Sequence, residues 1–250
     1  MKMLSIDTST DYLSVAITDG TKVLARYHRP SHRNHSRLLV PTISNLVKNA
    51  GLKLKDIDGL CVSVGPGSFT GLRIGVVTVK ALAYALDKPV VTVPTLDVIA
   101  RNAKGFKGVV CPVIDAKKNK VYACLYKSDG VKFKKISKYL LVPVESLLKM
   151  TEIYPAAKHP AFQGGIDAGG MSQQQKGAPG FSPGGLHDKV LFLGDGVRLA
   201  GRDEKIKNWH PRADVAAGLA AESFRKKKFV SPGKLEPMYI YSMECDIKGR

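Results

Sequence analysis

Long apolar runs are missing from this 250-residue chain: none reaches the ~18 residues of a membrane span, so no membrane segment is expected. Asp7 interrupts the N-terminus before an apolar stretch of the ~7–15 residues of a secretory signal can form, and a cytoplasmic location is expected. Cysteine is scarce. Cys61, Cys111, Cys124 and Cys245 show no C-x-x-C spacing, which argues against a metal knuckle or a disulfide framework and leaves small buried hydrophobes. The spacing of His28, His32 and His35 only superficially resembles a metal triad, because Pro30 prevents a helix through the first two; no metal site is expected. No HExxH occurs, no Ser/His/Asp order is legible, and a peptidase or other hydrolase therefore lacks a visible nucleophile.

Acids are also few. Lys and Arg number 39 against 21 Asp and Glu, a net charge of +18. Residues 1–100 carry 12 cations against 7 acids and residues 101–250 carry 27 against 14, so most of the excess lies late in the chain. A cationic surface of this size attracts polyanions, and a nucleic-acid partner is as consistent with it as a merely solvated basic surface.

What is present reads as a strand meander that occurs twice. Met3–Asp7, the alternating Leu13, Val15 and Ile17, and a strand from Lys22 after the Asp19-Gly20 turn form the first trio. Ser36–Ala50 has helical spacing, with Pro41 requiring a start near Val40 or a kink. Ile57–Val64 reads as a buried strand, and a helix over Gly71–Leu86 is expected to be capped by Thr70, with Phe69 packed beneath the turn. The second series places Asp115 at the end of a strand, 108 positions after Asp7, and Asp129-Gly130 110 positions after Asp19-Gly20. Two related halves are expected: 1–105, joined by a helix within 211–228, and 106–210. The second half carries a Gly- and Gln-rich insertion at 154–188, too polar to fold on its own core.

Two turns have the chemistry of a phosphate site. Asp7-Thr8-Ser9-Thr10 offers a carboxylate and hydroxyls after a strand, and Asp115 is its counterpart, although Lys117, Lys118 and Lys120 come after it with no glycine for close approach. GPGSFTGLRIG at 65–75 has glycines at a helix N-terminus, but neither the Gly-Lys-Ser/Thr ending of a P-loop nor the GxGxxG spacing of a dinucleotide turn. The helix after it is apolar on most of its circumference: Leu72, Val76, Val79, Ala83 and Leu86 form one stripe, and Ile74, Val77, Ala81 and Tyr84 another. One stripe covers the sheet; the other is left for more of the chain or for a partner.

The segments LSIDTST, HSRLLVP, GPGSFTGLRIG, VPTLDVIA, DAKKNKVYA and GDG together resemble the TsaB (YeaZ-like) family of tRNA threonylcarbamoyladenosine biosynthesis proteins. The similarity covers about 1–150 and, more weakly, 189–240. It implies an α/β chain of duplicated actin-like ATPase-type (ribonuclease H-like) fold, with two related βββαβα halves. It also implies a non-catalytic scaffold that binds the catalytic subunit TsaD, is joined by the ATPase TsaE, and serves transfer of a threonylcarbamoyl group to adenosine 37 of tRNAs reading codons that begin with adenine. Partner contact is then expected through Leu38, Leu39, Ile43 and Leu46 of the first helix and Leu72, Val76, Val79 and Ala83 of the second. Asp7, Thr8 and Asp115 are expected as a vestigial phosphate site. No cofactor is expected for this chain alone, ATP and a metal belonging to partner subunits; tRNA is met through the complex, and a homodimer is allowed when the chain is alone. The alternative is an autonomous actin-like ATPase or phosphotransferase using Asp7 and Asp115.

Overall fold

The computed structural model describes residues 1–153, 190–200 and 209–240; the expected insertion at 154–188 and Cys245 lie outside the described residues. Strands β1 (Lys2–Asp7), β2 (Tyr12–Asp19) and β3 (Lys22–Pro30) form the expected meander. Helix α1 (His35–Asn49), strand β4 (Gly59–Ser63), helix α2 (Phe69–Leu86) and strand β5 (Val90–Val93) come next. The sheet order is β3-β2-β1-β4-β5, with β2 and β3 antiparallel and β1, β4 and β5 parallel.

Strand alternation sends Leu4, Ile6, Leu60 and Val62 to one face of this sheet, where α1 and α2 cover them. Met3, Cys61, Val91 and Val93 go to the other face, under the alanine-rich helix α5 (Ala213–Arg225), whose Ala216, Ala217 and Ala220 let it lie close. Helix α3 (Thr95–Ala100) leads into the second half and packs Leu96, Ile99 and Ala100 against Val110, Ile114 and Cys124 of the second sheet. Asp97 on α3 accepts hydrogen bonds from the Tyr126 and Tyr139 hydroxyls and pairs with Lys135 at 3.2 Å, which ties the two halves together.

The second half repeats the topology with broken strands: β6 (Lys107–Lys117), β7 (Lys120–Ala123), β8 (Tyr126–Asp129), β9 (Phe133–Lys135), β10 (Leu140–Pro143), α4 (Val144–Ile153) and β11 (Val190–Leu193). β7 and β8 together are one interrupted copy of β2. Val113↔Ala123 on β7 and Lys107↔Asp129 on β8 keep a single antiparallel register along β6, as Asp7↔Ser14 and Lys2↔Asp19 do along β1. β11 lies parallel to β6 as β4 does to β1. This duplicated 3-2-1-4 order is the actin-like ATPase-type α/β fold.

Local expectations are corrected at several points. Helix α1 starts at His35 with Pro41 inside it, not near Val40. Ser68, not Thr70, caps α2, its hydroxyl accepting from the Gly71 amide at 3.2 Å. Phe69 does not pack beneath the turn; it is exposed, with the Arg73 guanidinium 3.9 Å above its ring and Tyr239 beside it. The expectation of no span-length apolar segment is also corrected, because α2, at 18 residues, has the length and apolarity of one. The physical reason is composition: α2 is apolar on two sides, and its Arg73 and Lys80 are too few to lower its mean hydropathy, although one face packs on the sheet.

Candidate functional site

The Asp7 turn sits at the C-terminal end of the central parallel strand. Asp7, Thr8 and Ser9 are fully buried. One carboxylate oxygen of Asp7 accepts from the Ser9 amide at 2.9 Å and the Ser9 hydroxyl at 2.7 Å. The other, Oδ2, has no hydrogen-bond partner, and neither have the buried hydroxyls of Ser5, Ser63 and Thr95. Burial pushes the Asp7 carboxyl above the ordinary carboxylate range, with the Ser9 hydrogen bonds and His35 opposing it, so the neutral form is favoured more than usual.

The first turn of α2 closes the site. Thr8 Oγ1 donates to the Gly71 carbonyl at 2.7 Å, and the Ser68 amide donates to the Ser9 carbonyl at 2.7 Å. Contact this close requires glycine: a Cβ on Gly71 would stand 2.1 Å from the Thr8 carbonyl oxygen, and one on Gly75 2.4 Å from Thr8 Oγ1. Backbone and glycines of α2 thus pack directly against Thr8, next to the fully buried Asp7.

Asp115 fares differently. It is partly exposed, and Lys117 holds it through its amide at 2.7 Å and its ammonium at 2.6 Å. Burial alone would raise its pKa, but these Lys117 contacts outweigh it and hold the carboxyl below the ordinary range. The Asp115 amide donates to Asp195 at 2.9 Å, and burial pushes the Asp195 carboxyl up. Gly194, at φ +119°, brings this loop against Val113 as Gly65, at φ +114°, turns the loop after β4. The two aspartates therefore sit at equivalent places on equivalent strands, Asp7 fully buried with Oδ2 unpaired and Asp115 paired with Lys117. The three histidines do not converge: His35 is buried, 3.0 Å from the Ser31 hydroxyl and 3.2 Å from the Tyr12 carbonyl, whereas His28 packs on the Tyr12 ring. No cluster of three metal-ligating residues exists among the described residues.

The expected partner-contact residues require a correction. Leu39, Ile43, Leu46, Leu72, Val76, Val79 and Ala83 are buried in the chain's own core, and Leu38 is half-buried against it. They cannot also form an outer surface, and an acid at Leu39 or Val76 would bury a charge without a partner instead of testing a contact. The outward face carries the other stripe: on α2, Val77 is 62% and Tyr84 65% exposed, with Ala81 between them, and on α1 Val40 is 60% exposed. Phe69, Arg73 and Tyr239 border it, Arg73 Nε donating to the Tyr239 hydroxyl at 3.2 Å. The signal in the sequence that separates the stripes is Gly71 and Gly75. Their side of the helix can approach the sheet most closely, and Leu72, Val76, Val79 and Ala83 share it.

The family described as "TsaD: tRNA N6-adenosine threonylcarbamoyltransferase" matches residues 26–237. A Bacillus subtilis protein named "tRNA threonylcarbamoyladenosine biosynthesis protein TsaB" is 37% identical over 126 residues, 50% of this chain and 55% of that protein. The Escherichia coli protein of the same name is 35% identical over 131 residues, 52% and 56% of the two chains. The matched region thus spans about half the length of these curated relatives. Among solved structures, a Pseudomonas aeruginosa protein with similarity to peptidase YeaZ has a TM-score of 0.72 at 23% identity, covering 96% of this chain and 99% of its own. YeaZ from Pseudomonas aeruginosa gives 0.70 at 22% identity with the same coverage. These two share the fold, and with the family match over most of its length the chain belongs to the tRNA N6-adenosine threonylcarbamoyltransferase (TsaD) family, among its TsaB/YeaZ members.

Proposed function

We propose that this protein is a non-catalytic partner subunit in tRNA threonylcarbamoyladenosine biosynthesis. It docks on a TsaD-like catalytic subunit of related fold through the outward faces of α1 and α2. The complex, joined by a TsaE-like ATPase, modifies adenosine 37 of tRNAs that read codons beginning with adenine. The observation that carries this reading is the second apolar stripe of α2: its inner stripe already fills the core, yet Val77 and Tyr84 remain outside with Val40 of the neighbouring helix. Apolar surface gathered on one face is the usual mark of a protein contact. The sealed Asp7 turn supports the absence of catalysis, because a carboxylate that no phosphate reaches cannot position a metal-nucleotide. ATP and metal then belong to the partner subunits, and the chain works in the cytoplasm, where tRNA is modified.

The test is co-purification of the full chain with a TsaD-type subunit, read beside a tRNA modification assay. Val77→Glu combined with Tyr84→Glu should abolish association while the melting temperature holds; unchanged association rejects the face. The same face occupied by a second copy when the chain is alone would appear in sedimentation as a dimer lost in that variant. The alternative of an autonomous ATPase or phosphotransferase requires turnover by the isolated chain that Asp7→Asn removes.

A further inference from the structure

Residues 101–140 hold 11 Lys and Arg but only Asp115 and Asp129 as acids, and both carboxylates are already engaged. Asp115 is paired with Lys117, and Asp129 accepts from the Val131 and Lys132 amides of its own turn at 2.9 and 2.7 Å. On the open end of the second sheet the register sets Lys127 directly opposite Lys134, with Val109 on the other side of Lys127. Lys107 is two residues before Val109 and so points to the same face, opposite Asp129, and Lys132 stands just before β9 in the turn held by Asp129. All four side chains are exposed, and none lies within ion-pair distance of an acid among the described residues. Lys135, on the opposite face, is by contrast neutralised by Asp97.

Like charges directly opposite on paired strands destabilise a sheet, so a surface needed only for solubility would alternate its signs. Here Asp129 is the acid of these rows, opposite Lys107 and engaged by its own turn, while the stems of Lys127 and Lys134 start from backbone positions about 5 Å apart across strands, with about 7 Å between same-face positions along a strand, the scale on which phosphates succeed one another in a nucleic-acid backbone. Val109 continues this face into the core beneath α4, and no aromatic side chain of β8 or β9 shares the Lys127 and Lys134 rows to stack a base.

We propose that Lys107, Lys127, Lys132 and Lys134 form a binding surface for the phosphate backbone of RNA. The surface positions the nucleic acid without reading its sequence. The choice of RNA over other polyanions rests on the reading of the chain as a tRNA-modification subunit.

The experiment is fluorescence anisotropy of the full-length chain with unmodified tRNA from about 50 to 300 mM salt. Binding should weaken with a log–log slope of about −3, as expected for four phosphate contacts. Lys127→Glu with Lys134→Glu should weaken binding at least ~10-fold at 100 mM salt, and the neutral pair Lys127→Gln with Lys134→Gln should flatten the slope by about 2. Arg225→Glu with Lys227→Glu, at the far end of α5, should change affinity less than ~2-fold. No binding at 50 mM salt, an unchanged slope in the Gln pair, or capture by phosphatidylserine vesicles in place of tRNA overturns the proposal. The Lys variants should still co-purify with the TsaD-type subunit. Loss of tRNA binding with that association intact supports this surface, and loss of association in Val77→Glu, Tyr84→Glu with tRNA binding intact separates it from the docking face.

Discussion

The two halves repeat one topology and dispose of the same aspartate in opposite ways. Asp7 is sealed by a long helix whose glycines rest on Thr8, while Asp115 stays at the surface and is clamped by a lysine two residues on. The difference lies in the element that the chain forms next to each parallel strand. After β4 comes an 18-residue helix; after β11 comes a Gly-Asp-Gly loop and a short 3₁₀ turn that meets Asp115 through the Asp195 carboxylate and the close approach of Gly196. The same position in a repeated fold is thus buried by packing in one half and paired at the surface in the other.

The strongest way to break this contrast is at the seal. Gly71→Ala places a methyl against the Thr8 backbone and should destabilise by about 3 kcal/mol, measured by urea unfolding. Gly194→Ala, whose Cβ would meet the Val113 carbonyl at 2.0 Å in a left-handed conformation, should cost a similar amount. A neutral Gly71→Ala would mean that α2 does not rest on the turn.

Acid titration sharpens the comparison next. A raised native pKa leaves Asp7 protonated after the unfolded chain, at about 3.9, has ionised. Its contribution to stability is thus complete at low pH and declines as pH rises from about 4 through the native value. Asp115, held low by Lys117, contributes above about 4 and loses that contribution as pH falls through its native value. Asp7→Asn should remove the first slope and Asp115→Asn the second, in unfolding curves taken from pH 3 to 8. Equal slopes in the two variants would contradict the different environments.

Smaller effects are expected outside. Val77→Glu or Tyr84→Glu should change monomer stability by no more than ~0.5 kcal/mol in thermal melts while abolishing partner capture. Lys117→Ala should cost under ~1 kcal/mol, since an exposed ion pair contributes little, and should move the Asp115 titration toward the ordinary range by NMR.

Much of the fold was legible in the chain. Alternation marks β1 and β2, and the offset of 108 between Asp7 and Asp115 already announces the duplication. The breaks between β7 and β8 and between β9 and β10 were not legible, because Val121–Tyr126 alternates without a stop, and at the break the Leu125 amide and carbonyl bond to Ser137 and Ile136 in place of β6. The outward face of α2 was half legible: both stripes can be counted, but choosing Leu72, Val76, Val79 and Ala83 as the outer one reversed inside and outside.

The residue pattern by itself determined the strand trios, the two apolar stripes and the late surplus of lysine, because periodicity and charge are local properties of a chain. Only the tertiary structure decided which stripe the sheet consumes, that Asp7 is closed off while Asp115 is paired, and that Lys127 faces Lys134. Each of these depends on how closely distant segments approach, and that distance is set by packing between elements that are far apart in sequence.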